Sequence, residues 1–121
     1  MVKSPEQLRR ELGDLRKAFL EQLPDRVEAI ETVLQGTLGA GELDRQHLGA
    51  LFHLAHRLCG SAGIYGYPTV HTAAGAIERV AEALLQAGGK DEPGQVAELP
   101  RLVAALRGAA EAARAGSAEP E

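Results

Sequence analysis

The chain has no tryptophan, one methionine, one cysteine, two tyrosines and two phenylalanines among 121 residues. With Cys59 alone there is no internal disulfide framework, which suits a reducing compartment. β-Branched residues never gather into strand-length runs. The apolar 45% is nearly all Leu, Ala, Val and Ile, a composition that favours helices over sheets. No stretch approaches the ~20 apolar residues that span a bilayer, and the opening MVKSPEQLRRELGD has no signal-peptide apolar region. A cytoplasmic location without membrane contact is therefore expected. A concentrated basic patch is also missing. Arg9, Arg10, Arg16 and Lys17 are interleaved with acids in a chain of net charge −4, which excludes nucleic acid as a partner. Nor is there a Gly-rich nucleotide loop, so no ATP-dependent kinase activity is expected.

What is present is helical periodicity over one domain's length. The spacing predicts a first helix from Pro5 to Leu23, with Ser4 as cap and Leu8, Leu12, Leu15, Phe19 and Leu23 as a stripe facing a partner. Pro24 predicts a break, and a second helix with Val27, Ile30, Val33 and Leu34 inward follows it. After the glycine-rich connector 36–41, a third helix is expected from Glu42 to Gly63 and a fourth from Pro68 to Ala87. A fifth is expected from Pro93 to Arg114, kinked at Pro100. The tail 115–121 is small, polar and acidic and is read as disordered. The predicted architecture is all-α: an antiparallel four-helix bundle, residues 5–114, with an additional N-terminal helix.

The third helix carries the chemistry. On a wheel at ~100° per residue, Leu48, Leu51, Phe52, Ala55, Leu58, Cys59 and Ala62 form one core-facing stripe. His53, His56, Gly49 and Gly60 fall on the other side, with Arg57 and Ile64 beside them and Gly63 near one edge. Glycine inside a helix costs roughly 0.8–1 kcal/mol relative to alanine. Gly60 and Gly63 therefore either leave the surface beside His56 bare for another macromolecule or let a neighbouring helix pack closely.

Histidine suits a relay. An ordinary imidazole titrates near about 6.5, so most of it is a neutral nucleophile at pH 7. His47, His53, His56 and His71 also raise the possibility of a metal. No Glu-x-x-His pair accompanies them, however, and Cys59 lies on the apolar stripe, so no bound metal or cofactor is expected.

The run His56-Arg-Leu-Cys-Gly60-Ser61-Ala-Gly-Ile-Tyr-Gly66 resembles the signature of the histidine phosphotransfer (HPt) family: His, Leu two on, Gly-Ser at four and five, Gly at ten. The segment from Phe19 to Glu31 is similar to the usual entry to the second helix of bacterial HPt domains. The resemblance implies that His56 is the phospho-acceptor, exposed mid-helix. It also implies that Gly60 leaves room for a receiver domain, that Ser61 shapes the helix near the site, and that Gly66 belongs to the next turn. Arg57, Gly63, Ile64 and His53 complete the candidate docking residues.

By the same resemblance, the chain takes a phosphoryl group from a phospho-aspartyl receiver domain or a histidine kinase and relays it to a response regulator. It would act as a monomeric phosphocarrier rather than an enzyme, with the partner supplying Mg²⁺. The alternative is a helical adaptor that docks on receiver or kinase domains without phosphotransfer. Many family members carry Lys three residues after the histidine, where this chain has Cys59; Arg57 could replace that charge in part.

Overall fold

A computed structural model describes residues 2–38, 44–88 and 94–118. Four helices occupy them: α1 (Pro5–Leu38), α2 (Arg45–Tyr65), α3 (Pro68–Gln86) and α4 (Gln95–Ala118). Each packs on its neighbours in a closed cycle, α1 on α2, α2 on α3, α3 on α4 and α4 on α1. This is the four-helix bundle, all-α, that the periodicity predicts.

The additional N-terminal helix requires correction. The two segments expected on either side of Pro24 are one continuous helix of 34 residues, with the proline inside it. An interior proline costs about 3 kcal/mol through its missing N–H and its clash with the preceding turn. Leu20, Leu23, Val27 and Ile30 are all buried on the same face. At about 1.5–3 kcal/mol per buried side chain, a break that turned half of that stripe away would cost more than the proline does.

The start of α1 is a reciprocal cap: the Gln7 amide donates to Ser4 Oγ at 3.2 Å and the Ser4 amide to Gln7 Oε1 at 2.9 Å. The first three leucines of the predicted stripe, Leu8, Leu12 and Leu15, are about half exposed, and of these Leu15 borders a cavity with Ser61 and Tyr65 of α2. Burial begins at Phe19, whose ring lies 5.5 Å from both Tyr65 and Tyr67. The N-terminal part of α1 thus overhangs the bundle.

Asp44 caps α2, accepting from the Gln46 amide at 3.0 Å and pairing with His47. The His47 ring packs against Gly36 of α1, where a Cβ would force the ring to move. The expected start at Glu42, like the connector residues 39–41, lies outside the described residues. At its other end α2 continues two residues past the expected Gly63 and closes on Gly66. This glycine takes the left-handed conformation (φ 82°), and its amide donates to Ala62 O.

Pro68 then opens α3, where its missing N–H has no partner to lose. The last helix runs through Pro100 to Ala118. Residues 115–118, read from composition as the start of a disordered tail, extend it; residues 119–121 lie outside the described part. Arg107 of α4 ties back to Glu31 of α1, its Nε donating to Oε2 at 2.6 Å. That contact holds the Glu31 carboxyl below the usual glutamate range and raises Arg107. No helix among the described residues is long and apolar enough to cross a membrane.

Candidate functional site

Leu48, Leu51, Ala55, Leu58 and Ala62 of α2 are buried to the last few per cent, which fixes the rotation of the helix about its axis. That rotation turns His56 outward, its side chain 64% exposed. Phe52 and Cys59, assigned from the wheel to the core stripe, are only half-buried. They lie at the edges of the stripe, packed against the core from its margin, and Phe52 also reaches the His56 ring.

The imidazole of His56 is held from two sides. Its Nδ1 lies 2.6 Å from Glu78 Oε1 of α3. A carboxylate can only accept, so Nδ1 carries the hydrogen, and in the neutral ring Nε2 keeps its lone pair. Glu78 is 20% exposed, firmly seated compared with the histidine it holds. From the other side the Phe52 ring, one turn earlier on α2, lies nearly parallel to the imidazole, at 12° and 5.9 Å between centroids.

Sequence reasoning missed both residues. Glu78 lies on another helix, 22 positions on, and only the α2–α3 packing register brings it to His56. Phe52 had a visible signal, an aromatic four residues before the histidine. Its place at the edge of an apolar stripe made it read as core.

Cys59 also contacts α3. The His71 Nδ1–H donates to the Cys59 carbonyl at 2.8 Å, and the same nitrogen lies 3.4 Å from Cys59 Sγ. Burial first, and then the Glu78 charge, push the thiol pKa up, with a smaller opposing pull from Arg79. Cys59 is a neutral packing group, as its place on the stripe implies.

The two glycines after His56 have different reasons. A Cβ on Gly60 would meet nothing within 4 Å, so no contact within the chain requires glycine there. On Gly63 it would stand 3.1 Å from His71 Nδ1. Close packing explains Gly63; it does not explain Gly60. The bare surface beside His56 is therefore centred on Gly60, and Gly63 belongs to the α2–α3 contact.

The other candidates are spread around the helix. His53 is exposed, with its ring edge-on to Phe52 at 5.3 Å. Ile64 is 76% exposed. Ser61 is half-buried and, together with Leu15, Phe19, Arg26 and Tyr65, lines a cavity of about 190 Å³. Arg57 is exposed on the side of α2 that faces α1, where it borders a cavity with Arg26. Gly66 lies at the α2 C-terminus, away from the imidazole. Among the described residues no three His, Cys, Asp or Glu side chains gather to hold a metal ion.

The family model for the Hpt domain matches residues 14–115, which includes every residue of this site. The chain belongs to the HPt family. HPt domains serve two-component phosphorelays, carrying phosphoryl groups on histidine without kinase activity of their own. The match begins at Asp14, so the overhanging start of α1 precedes the part shared with the HPt family. Neither the curated proteins nor the solved structures compared with this HPt domain include a match.

Proposed function

We propose that His56 is the phospho-acceptor of this HPt domain and that the phosphoryl group is carried on Nε2. The observation that carries this reading is the 2.6 Å contact between Nδ1 and Glu78 on a side chain that is 64% exposed, which in the neutral ring favours the hydrogen on Nδ1 and leaves the lone pair on Nε2. The Nε2 lone pair attacks phosphorus of a partner's aspartyl phosphate in line. The P–N bond forms as the P–O bond to the aspartate breaks, and the carboxylate departs with the bonding pair. No proton needs to move. The imidazole gains positive charge as it is phosphorylated, and the Glu78 carboxylate lies where it offsets that charge. Reversal of the same step passes the group to a response regulator.

In this scheme the chain contributes position and tautomer, while the receiver contributes the acidic pocket and Mg²⁺ that neutralise the equatorial oxygens. Gly60 supports the reading because it removes side-chain bulk one helical turn from His56 without serving any contact inside the bundle. Ile64, Arg57 and His53 border the same exposed face and are the remaining docking residues. The absence of any membrane-spanning helix among the described residues accords with a cytoplasmic relay.

Incubation with a phosphorylated receiver domain and Mg²⁺ tests the proposal. Label that is acid-labile and base-stable should appear on the wild-type chain and be missing from His56→Gln. Equal labelling of both would rule out His56 as acceptor. Receivers that bind the chain but never label it would favour an adaptor instead.

A further inference from the structure

A groove between α1 and α2 runs beside the phospho-acceptor. Its main cavity, about 310 Å³, is lined by Gln22, Asp25, Arg26, Ala29, Leu54 and Arg57. Gln22 and Arg26 also line the smaller cavity that reaches Ser61 and Tyr65, so the two cavities are neighbours along the α1–α2 seam. Arg57 follows His56 directly in the chain, which places the mouth of the groove on the flank of the helix that presents the imidazole.

The groove is unusual in its charge. Arg26 from α1 and Arg57 from α2 border it from opposite walls, and neither has a carboxylate within ion-pair distance among the described residues. The guanidinium of Arg26 rests instead over the Phe19 ring at 5.9 Å. The other arginine that bridges two helices, Arg107, has its Glu31. Burial first, and then the charge of Arg57, push the Arg26 pKa down, with a smaller opposing pull from Tyr65. Asp25 lines the same cavity but pairs with neither arginine, so two cations and one anion leave the groove net positive. In a chain of net charge −4 this is a local exception. Leu54 and Ala29 supply an apolar floor, so an occupant would be an acidic side chain on a loop with some apolar surface.

We infer that this groove seats a carboxylate-bearing loop of the receiver domain, with Arg26 and Arg57 selecting which receivers are accepted. The inference rests on the relay reading. A surface that brings an aspartyl phosphate to Nε2 of His56 must lie across α2, and the neighbouring α1–α2 groove is within its footprint. A guanidinium pair reads a carboxylate by geometry as well as charge, so a receiver with a basic residue at the matching point would be refused.

Two measurements test the inference separately from phosphotransfer. In the first, a pentaglutamate peptide is titrated into the isotope-labelled chain, with pentalysine as control. Shifts at the Arg26 and Arg57 side chains with pentaglutamate alone are expected, and their absence overturns the inference even if His56 is phosphorylated. In the second, transfer between the chain and a labelled receiver is followed as a function of receiver concentration for wild type, Arg57→Gln, Arg57→Glu and Arg26→Gln. KM should rise about tenfold in each Gln variant and further in Arg57→Glu, with the loss falling on KM rather than on the rate at saturation. The salt dependence of KM should become shallower. An unchanged KM and salt dependence would overturn the inference while leaving the relay intact. Peptide binding by a chain that accepts phosphate from no receiver would retire the relay reading and, with it, the assignment of a receiver to the groove.

Discussion

His56 and Glu78 meet across the α2–α3 interface with Nδ1 and Oε1 2.6 Å apart, and the carboxylate is the more buried partner of the two. The arrangement fixes one ring nitrogen as donor and presents the other to solvent. On the proposed relay, it would also place a negative charge beside an imidazole that becomes positive when phosphorylated.

Removing that carboxylate should slow transfer without unfolding the bundle. A hydrogen bond to a charged group contributes about 1.5–3 kcal/mol. Glu78→Ala should therefore reduce the transfer rate roughly ten- to hundredfold. Nitrogen NMR of the ring should show the two neutral tautomers becoming more evenly populated. A variant with wild-type rate and tautomer ratio would remove Glu78 from the mechanism.

The two glycines should respond in opposite ways. Nothing lies within 4 Å of a Cβ on Gly60, so Gly60→Ala should stabilise the helix by up to about 1 kcal/mol, read as a rise in Tm. Gly60→Gln should keep the fold and slow transfer strongly, since its side chain projects where a partner must approach. At Gly63 a methyl would stand 3.1 Å from the His71 ring, so Gly63→Ala should gain less stability or lose some. Equal Tm changes at the two positions would contradict the distinction.

The bundle was legible in the sequence because its helices follow their apolar spacing. Leu48, Leu51, Ala55, Leu58 and Ala62 are buried as the wheel places them, and that register alone turns His56 outward. Two classes of feature were not legible. Pro24 reads locally as a break, yet the burial of Leu20, Leu23 and Val27 on either side of it favours a single helix. Glu78 carries no local mark of its role, since a solvated glutamate and one that holds an imidazole look the same until α3 is packed on α2. The leucines at 8, 12 and 15 show the converse case, a helical stripe that stays about half exposed.

That overhang should be dispensable for the fold. Among the described residues, every one before Ala18 is exposed, so a chain starting at Asp14 should keep its Tm within a few degrees and retain labelling of His56. Far-UV circular dichroism should lose only the first turns of α1. A large drop in Tm would show that Leu8 and Leu12 pack on something that the exposure pattern does not reveal.

Acid should weaken the tie between α1 and α4. Because Arg107 holds the Glu31 carboxyl below its ordinary value of about 4.3, the pair contributes stability above that pH and loses it as pH falls through the lowered folded value. Urea midpoints should show Glu31→Gln less stable than wild type near neutrality. The gap should close as the pH is taken well below 4. A gap that is independent of pH would assign the effect to packing.

The most direct measurement is the position of the phosphate on the chain after transfer from a phosphorylated receiver. Phosphorus–proton couplings in the ring distinguish the two nitrogens. The expected result is a single phosphohistidine at Nε2 of His56, with the Nδ1 proton still bonded to Glu78. Phosphate on Nδ1, or on any other side chain, would contradict the claim that Glu78 reserves one nitrogen and frees the other.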